Sequence, residues 1–272
     1  MTLSLGIIQG RLTKSPRNRL QYFPKKWDQE FAKAKEANYD YIEFFSERKF
    51  NPKNPIWNND LINEYKKLSK KNDLKIINFC DDHIISNDIR KKRTLEYLKL
   101  LLKKIEFLGA KNFILPLYGK SEMNNINFES FLKCFKIILK ISCKKKINIL
   151  LETNIDLKTF RRFKDLLGKK IYIVFDTGNR VIKNRDLASD IIKFKNNIKL
   201  VHIKNRDKSF KNIKLKGGLV NFDNIFKALK KINYNNNITI ESTRLDNALN
   251  TGKNNANMIK VLIKKYLKNK DL

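Results

Sequence analysis

Eight short apolar runs recur along the chain, at 3–9 (LSLGIIQ), 39–45 (YDYIEFF), 74–80 (LKIINFC), 112–118 (NFILPLY), 147–152 (INILLE), 171–176 (IYIVFD), 198–203 (IKLVHI) and 237–242 (NITIES). Most are apolar nearly throughout rather than alternating, as strands covered on both faces require. Between them lie longer segments in which apolar residues return at helical spacing and lysines fill the remaining positions: 27–37, 58–71, 88–108, 127–145, 157–167, 185–195, 221–232 and 253–269. NDLINEYKKLSKKN and FLKCFKIILKISCKKK show the pattern most clearly. Asp28, Asn127 and Asn221 stand at expected helix starts, where their side chains suit N-capping. Strand and helix alternate eight times, which predicts an α/β fold: one closed (β/α)8 barrel with right-handed crossovers.

The length agrees. The chain has 272 residues, close to the roughly 250 typical of such a barrel, and five Pro and nine Gly leave no stretch that reads as a tether. A single domain over 1–272 is expected. Cys80, Cys134 and Cys143 share no CxxC spacing and lie in apolar contexts, against a disulfide framework or a thiolate zinc site. The opening MTLSLGIIQGRL lacks a basic stretch followed by an apolar one, and no run reaches the length of a membrane span. The expectation is a cytoplasmic protein with no membrane partner.

The formal charge of +32, from 59 Lys and Arg against 27 acids, admits two readings. Lysine spread over every helix alongside abundant Asn and Ile fits an AT-biased coding sequence and a solvated outer helix ring. Charge gathered at the barrel mouth would instead draw in an anionic substrate or nucleic acid.

Candidate chemistry sits at strand ends. Glu152, Asp176, His202 and Glu241 close four successive apolar runs at intervals of 24, 26 and 39 residues, each long enough for one βα unit. In a parallel barrel these ends converge on one mouth, where catalytic residues of the fold lie. Taken singly, a strand-end carboxylate reads as the N-cap of the next helix, and a histidine as a hydrogen-bonded core residue. Three acids and an imidazole together, without a cation, would repel in a partly desolvated site. The set therefore reads as the ligands of one divalent metal. Three oxygen donors, one imidazole and no thiolate favour Mn2+ first, with Mg2+, Co2+ and Zn2+ as alternatives.

The segments GIIQGRL, YIEF, LLET, FDTGN, HIKNRD, GGLVNF and TIES, in that order, resemble the xylose isomerase-like TIM-barrel family over nearly the whole chain. That family includes sugar phosphate isomerases and epimerases and, more distantly, endonuclease IV. The resemblance implies a metal held by Glu152, Asp176, His202 and Glu241. It also implies that Glu152 and Glu241 are catalytic, one removing a proton beside a carbonyl and the other returning it on the opposite face. Position at strand ends makes Gln9, Arg11, Glu43, His83, Tyr118, Asn179, Lys204 and Arg206 candidate substrate contacts, for hydroxyls or a phosphate.

A metal-dependent sugar or sugar-phosphate isomerase or epimerase follows, with a small carbohydrate as partner and a homodimer as one assembly of such barrels. An inosose-type dehydratase or a hydroxypyruvate-type isomerase could use the same site, and a non-catalytic barrel is a further class. Endonuclease IV-like sites bind three zinc ions through several histidines, whereas this chain has only His83 and His202, against a nucleic-acid partner. Many ketose 3-epimerases carry a histidine three residues after the strand-six aspartate. Asn179 stands there in this chain, and an amide cannot carry a proton at neutral pH.

Overall fold

The computed structural model describes residues 3–16, 19–124, 126–168, 170–181 and 185–267. In chain order the strands are β1 (Leu5–Ile8), β2 (Tyr41–Ser46), β3 (Asn78–Asp81), β4 (Asn112–Pro116), β5 (Asn148–Glu152), β6 (Ile171–Asp176), β7 (Ile198–Ile203), β8 (Asn205–Arg206), β9 (Asn212–Ile213) and β10 (Asn237–Ile240). The helices are α1 (Gln29–Glu36), α2 (Asn59–Lys71), α3 (His83–Ser86), α4 (Lys92–Leu108), α5 (Phe128–Lys144), α6 (Leu157–Leu167), α7 (Leu187–Phe194), α8 (Phe222–Lys231) and α9 (Ala248–Tyr266). Strands β1 to β7 and β10 close into a parallel barrel in the order β1-β10-β7-β6-β5-β4-β3-β2, as the eightfold pattern predicts. Strands β8 and β9 form a separate antiparallel hairpin above the mouth.

Two helix starts and one added hairpin depart from the pattern for local reasons. Helix α4 starts at Lys92, because Asp88 first accepts the Arg90 N–H at 2.9 Å and pairs with its guanidinium. Helix α9 starts at Ala248, since the Asn247 side chain accepts from Asn250 N at 3.0 Å and caps it there; positions 268–269 of the expected helix lie outside the described residues. The hairpin is too short for periodicity to register.

Of the expected caps, Asn221 accepts from Asn224 N at 3.0 Å. Asp28 makes no capping bond, because its backbone is already helical (φ −60, ψ −38) and the cap geometry needs an extended residue. Asn127 instead accepts from Asn124 N and donates to Glu122 O.

Helices pack their apolar stripes on the outside of the barrel. In α5, Phe128, Phe131, Leu132, Phe135, Ile138 and Leu139 are buried, each worth about 1.5–3 kcal/mol relative to exposure, while Lys133, Lys136 and Lys140 face solvent. Among the described residues the buried cations are Arg11, Arg180 and Lys204, so most of the positive charge is a solvated helix face. No helix among the described residues is long and apolar enough to cross a membrane.

Inside the barrel a polar chain replaces part of the expected apolar filling. Asn148 donates to Asn112 at 3.0 Å, Asn112 to Asn78 at 2.8 Å, and Asn78 to Glu43 Oε2 at 3.0 Å. The asparagines stand in register on β3, β4 and β5, so one amide ladder ties three strands together and ends on a carboxylate. Thr239 closes the ring by donating to Glu43 Oε2 at 2.8 Å, and Tyr41 meets Thr239 at 2.6 Å. Tyr41 lies across β1 where only glycine fits: a Cβ on Gly6 would come within 2.2 Å of its ring.

Candidate metal centre and active site

Alternation along parallel strands builds the site. Residues two apart face the same way, so β7 and its extension send His202, Lys204 and Arg206 to the mouth. Asp176 pairs with His202 across β6 and β7, and His202 pairs with Thr239 across β7 and β10. The ligand atoms of Glu152, Asp176, His202 and Glu241 all lie within 4.8 Å of one another. His202 Nδ1 is 3.6 Å from Glu152 Oε2 and 3.3 Å from Glu241 Oε2, while Nε2 is 2.9 Å from Glu43 Oε1. The imidazole thus turns one nitrogen to the cluster and the other to a carboxylate behind it.

Capping does not account for these acids. Helix α6 is capped by Asp156, which accepts from Thr159 N at 2.7 Å, and α7 by Asp186, which accepts from Ala188 N at 3.0 Å. Asp176 Oδ2 and His202 Nδ1 are buried without a well-aligned hydrogen-bond partner among the described residues, whereas His202 Nε2 faces Glu43 Oε1 at 2.9 Å. Orphaned buried acceptors of this kind are costly unless something else satisfies them. A convergent O3N donor set with free lone pairs fits a divalent cation.

The charges are strongly perturbed. Burial, and then Asp176, push the Glu152 carboxyl up to about 8. Burial also raises Asp176, against the pull of Lys204. Burial would raise Glu241 as well, but Lys204, His202 and Arg11 outweigh it and hold the carboxyl well below its ordinary value. His202 goes the other way: burial opposes its charge, yet Glu43, Glu241 and Glu152 raise it well above the usual imidazole range. Lys204 sits among the acids, its Nζ 2.8 Å from Glu241 Oε1 and 3.7 Å from Asp176 Oδ2. Its stem lies against Gly178, where a Cβ would approach Lys204 Cγ to 2.7 Å.

Above the cluster opens a cavity of about 480 Å³. Glu152 and Glu241 line it, together with Arg11, Tyr118, Asn179, Lys204 and Arg206. Asn179 donates to Glu152 Oε1 at 2.7 Å through its side chain and to Asp176 Oδ1 at 2.6 Å through its backbone. The Tyr118 hydroxyl is buried without a well-aligned hydrogen-bond partner among the described residues, with the Asn179 side chain beside it. Arg11 donates to Ser242 O at 3.1 Å and stands 3.8 Å from Glu241. Its loop is held by the buried Glu30, which accepts from Gly10 N, Leu12 N and Thr13 N.

Three residues expected to meet substrate are off this wall. Gln9 is buried against the Tyr65 hydroxyl at 3.3 Å. Glu43 is fully buried behind His202. His83 begins α3, pointing away from the mouth into a separate pocket beside Tyr97, its ring centroid 4.2 Å from that ring. The second histidine therefore stands apart from the Glu152, Asp176, His202 and Glu241 cluster.

Sequence reasoning missed Arg48, Asp82, Asn154, Phe210 and Asn212 on the cavity wall. Asp82 and Asn154 lie two residues beyond Cys80 and Glu152, so strict alternation continued past the strand ends would have found them. It also missed Arg180. This side chain is fully buried, donates to Thr153 O at 2.7 Å and lies 3.7 Å from Asp190, clamping the loop that follows Glu152.

Comparison with known proteins agrees with this architecture. No curated protein matches the chain by sequence. Among solved structures, a D-psicose 3-epimerase from Clostridium cellulolyticum H10 superposes with a TM-score of 0.77 at 14% identity, covering 98% of this chain and 100% of that one. A D-allulose 3-epimerase from Methylomonas sp. gives 0.73 at 18% identity, covering 96% and 98%. An IolI protein with a bound zinc atom gives 0.69 at 14% identity, covering 97% and 98%. At such identities the likeness is one of fold. The sequence profile of the xylose isomerase-like TIM barrel matches residues 31–264, and the chain belongs to that family.

Proposed function

We propose that the protein is a divalent-metal-dependent isomerase or epimerase of sugars, transferring a proton at a carbon beside a carbonyl. One observation carries the reading: the four ligand candidates divide into two that face the cavity, Glu152 and Glu241, and two buried beneath it, Asp176 and His202. A ligand set needed only to hold a cation has no reason to expose two of its carboxylates to a substrate-sized space. The sugar epimerases of similar fold support the substrate class, and the zinc in the IolI structure supports a divalent metal.

Glu152, Asp176, His202 and Glu241 would hold the cation, which supplies a Lewis acid that polarises the substrate carbonyl and offsets the charge left as the C–H proton departs. The donor set suits Mn2+ first, with Mg2+, Co2+ and Zn2+ as alternatives. Each glutamate has one oxygen held by a neighbour, Glu152 Oε1 by Asn179 and Glu241 Oε1 by Lys204, and the other turned toward His202. Such carboxylates are oriented rather than free to rotate, as proton transfer within hydrogen-bond reach of a carbon acid requires. They arise from β5 and from just beyond β10, so one can take the proton and the other return it. Asn179 cannot shuttle a proton and serves to orient Glu152.

The test pairs metal content with ligand substitution. The purified protein should hold one divalent cation per chain, and added Mn2+ should raise its melting temperature. Glu152→Gln and Glu241→Gln should each shrink that rise, and chelation should abolish turnover. A protein without stoichiometric metal, equally stabilised by Mn2+ in wild type and both variants, would refute the proposal.

A further inference from the structure

On that reading of the site, we infer that the substrate carries a terminal oxyanion, a phosphate ester or a carboxylate, bound by Arg206 and Arg48 at the end remote from the reacting carbons. The inference comes from the placement of charge on the cavity wall. Four cations line the cavity, Arg11, Arg48, Lys204 and Arg206, against the acids Asp82, Glu152 and Glu241. Two of the cations are committed at the floor: Lys204 to Glu241 and Asp176, and Arg11 to Glu241.

Arg206 makes no ion pair among the described residues, and Arg48 has only the longer-range attraction of Asp82 on the same wall. Arg206 is the more telling. Its Nη2 donates to Asn179 Oδ1 at 2.5 Å and its Nη1 to Phe210 O at 2.9 Å, while its Nε is buried without an acceptor. The amide of Asn179 in turn donates to Glu152. Arg206 therefore stands one side chain outward from a proposed catalytic carboxylate.

The residue is also fixed in place. Arg206 lies on β8, and the preceding Asn205 anchors that hairpin by donating to Leu215 O at 2.7 Å and accepting from Val220 N at 2.9 Å. Gly218 is packed so closely that a Cβ would come within 2.3 Å of Asn205 Oδ1. Arg48, exposed just beyond the end of β2, lines the same cavity from another strand. A pre-positioned guanidinium with a buried, unanswered N–H is the arrangement that recognises phosphate or carboxylate. A neutral sugar needs no uncompensated guanidinium: Tyr118, Asn154, Asn179 and Asn212 already supply hydroxyl and amide groups.

The two sources of oxyanion are separated by paired substrates. Deuterium incorporation from D₂O should be followed by NMR for ketoses, for the same ketoses phosphorylated at the terminal carbon, and for ketose acids with a terminal carboxylate. Inorganic phosphate and acetate should be titrated by calorimetry into the metal-loaded protein. One anionic series should show kcat/KM higher than the neutral series by roughly ten- to hundredfold, the worth of a charge-assisted contact. Inorganic phosphate or acetate, whichever matches that series, should bind wild type and bind roughly tenfold more weakly to Arg206→Met and Arg48→Met.

Neutral ketoses handled as well as both anionic series would overturn the inference, as would phosphate and acetate binding that neither substitution changes. If no sugar exchanges at all, the isomerase reading fails separately. Anion binding then still decides the site, since loss of binding in Arg206→Met sustains it and absence of binding in wild type overturns it.

Discussion

Glu43 offers a prediction that separates a metal-positioning carboxylate from a substrate contact. Its Oε2 accepts from Asn78 and Thr239 at 3.0 and 2.8 Å, and its Oε1 lies 2.9 Å from His202 Nε2. A carboxylate can accept from all three donors, which keeps the ring proton on Nε2 and the Nδ1 lone pair facing Glu152 and Glu241. Glu43→Gln has only one acceptor oxygen. If that oxygen stays with Asn78 and Thr239, the new amide faces Nε2, the ring proton moves to Nδ1, and the metal loses its nitrogen ligand. If the amide is reversed, its NH2 faces the Asn78 NH2, and a buried donor is orphaned at about 1–3 kcal/mol. Loss of such an outer partner weakens metal binding by roughly 10- to 100-fold. Mn2+ titration by calorimetry on a folded variant should read that loss, with apo stability in urea lowered by about 1–3 kcal/mol. Affinity within about twofold of wild type, in a variant equally stable without metal, would refute the role.

Asp81 gives a pH signature away from the ligands. It accepts from Ser46 at 2.5 Å and from Tyr97 at 3.0 Å, and burial pushes its carboxyl up to about 7. The folded protein then binds a proton that the unfolded chain releases near 4, so this group's contribution to stability falls as pH rises from about 4 to about 7. Asp81→Asn keeps an acceptor and should flatten that dependence in urea melts, with a gain at pH 8 of up to about 4 kcal/mol; unchanged pH dependence would remove Asp81 from the account. Gly178→Ala should displace Lys204 from Glu241 and lower kcat/KM by roughly tenfold or more, while kinetics equal to wild type would show that Lys204 is not needed there. Arg180→Met should lose about 1–3 kcal/mol by orphaning Thr153 O, while Asp190 keeps its pair with Arg185 at 2.5 Å, and a melt within about 0.5 kcal/mol of wild type would show the clamp is idle.

The barrel was legible because each strand is a continuous apolar run and each helix an amphipathic one, so the two periodicities never compete. The convergence of Glu152, Asp176, His202 and Glu241 was legible for a related reason: the C-terminal ends of parallel apolar runs meet at one mouth. What periodicity could not show was which strand-end side chains face inward and what lies behind them. Glu43 looked like a substrate contact but hydrogen-bonds into the amide ladder, and that ladder depends on the registry of Asn78, Asn112 and Asn148, which no single strand displays. Arg180 was hidden because a fully buried arginine is rare in so basic a chain, and its role rests on carbonyls of a neighbouring loop. Arg48 and the β8–β9 hairpin belong to connections whose geometry is set by tertiary packing.

Glu152 and Glu241 are proposed to move a proton beside a carbonyl. Incubation of the Mn2+-loaded protein in D₂O with a panel of ketoses, aldoses and their phosphates, followed by NMR, measures this directly. Deuterium should enter a carbon adjacent to the carbonyl of at least one substrate, and chelation and either Glu152→Gln or Glu241→Gln should abolish that exchange. Exchange that persists in both variants, with metal still bound, would contradict that role for the two glutamates.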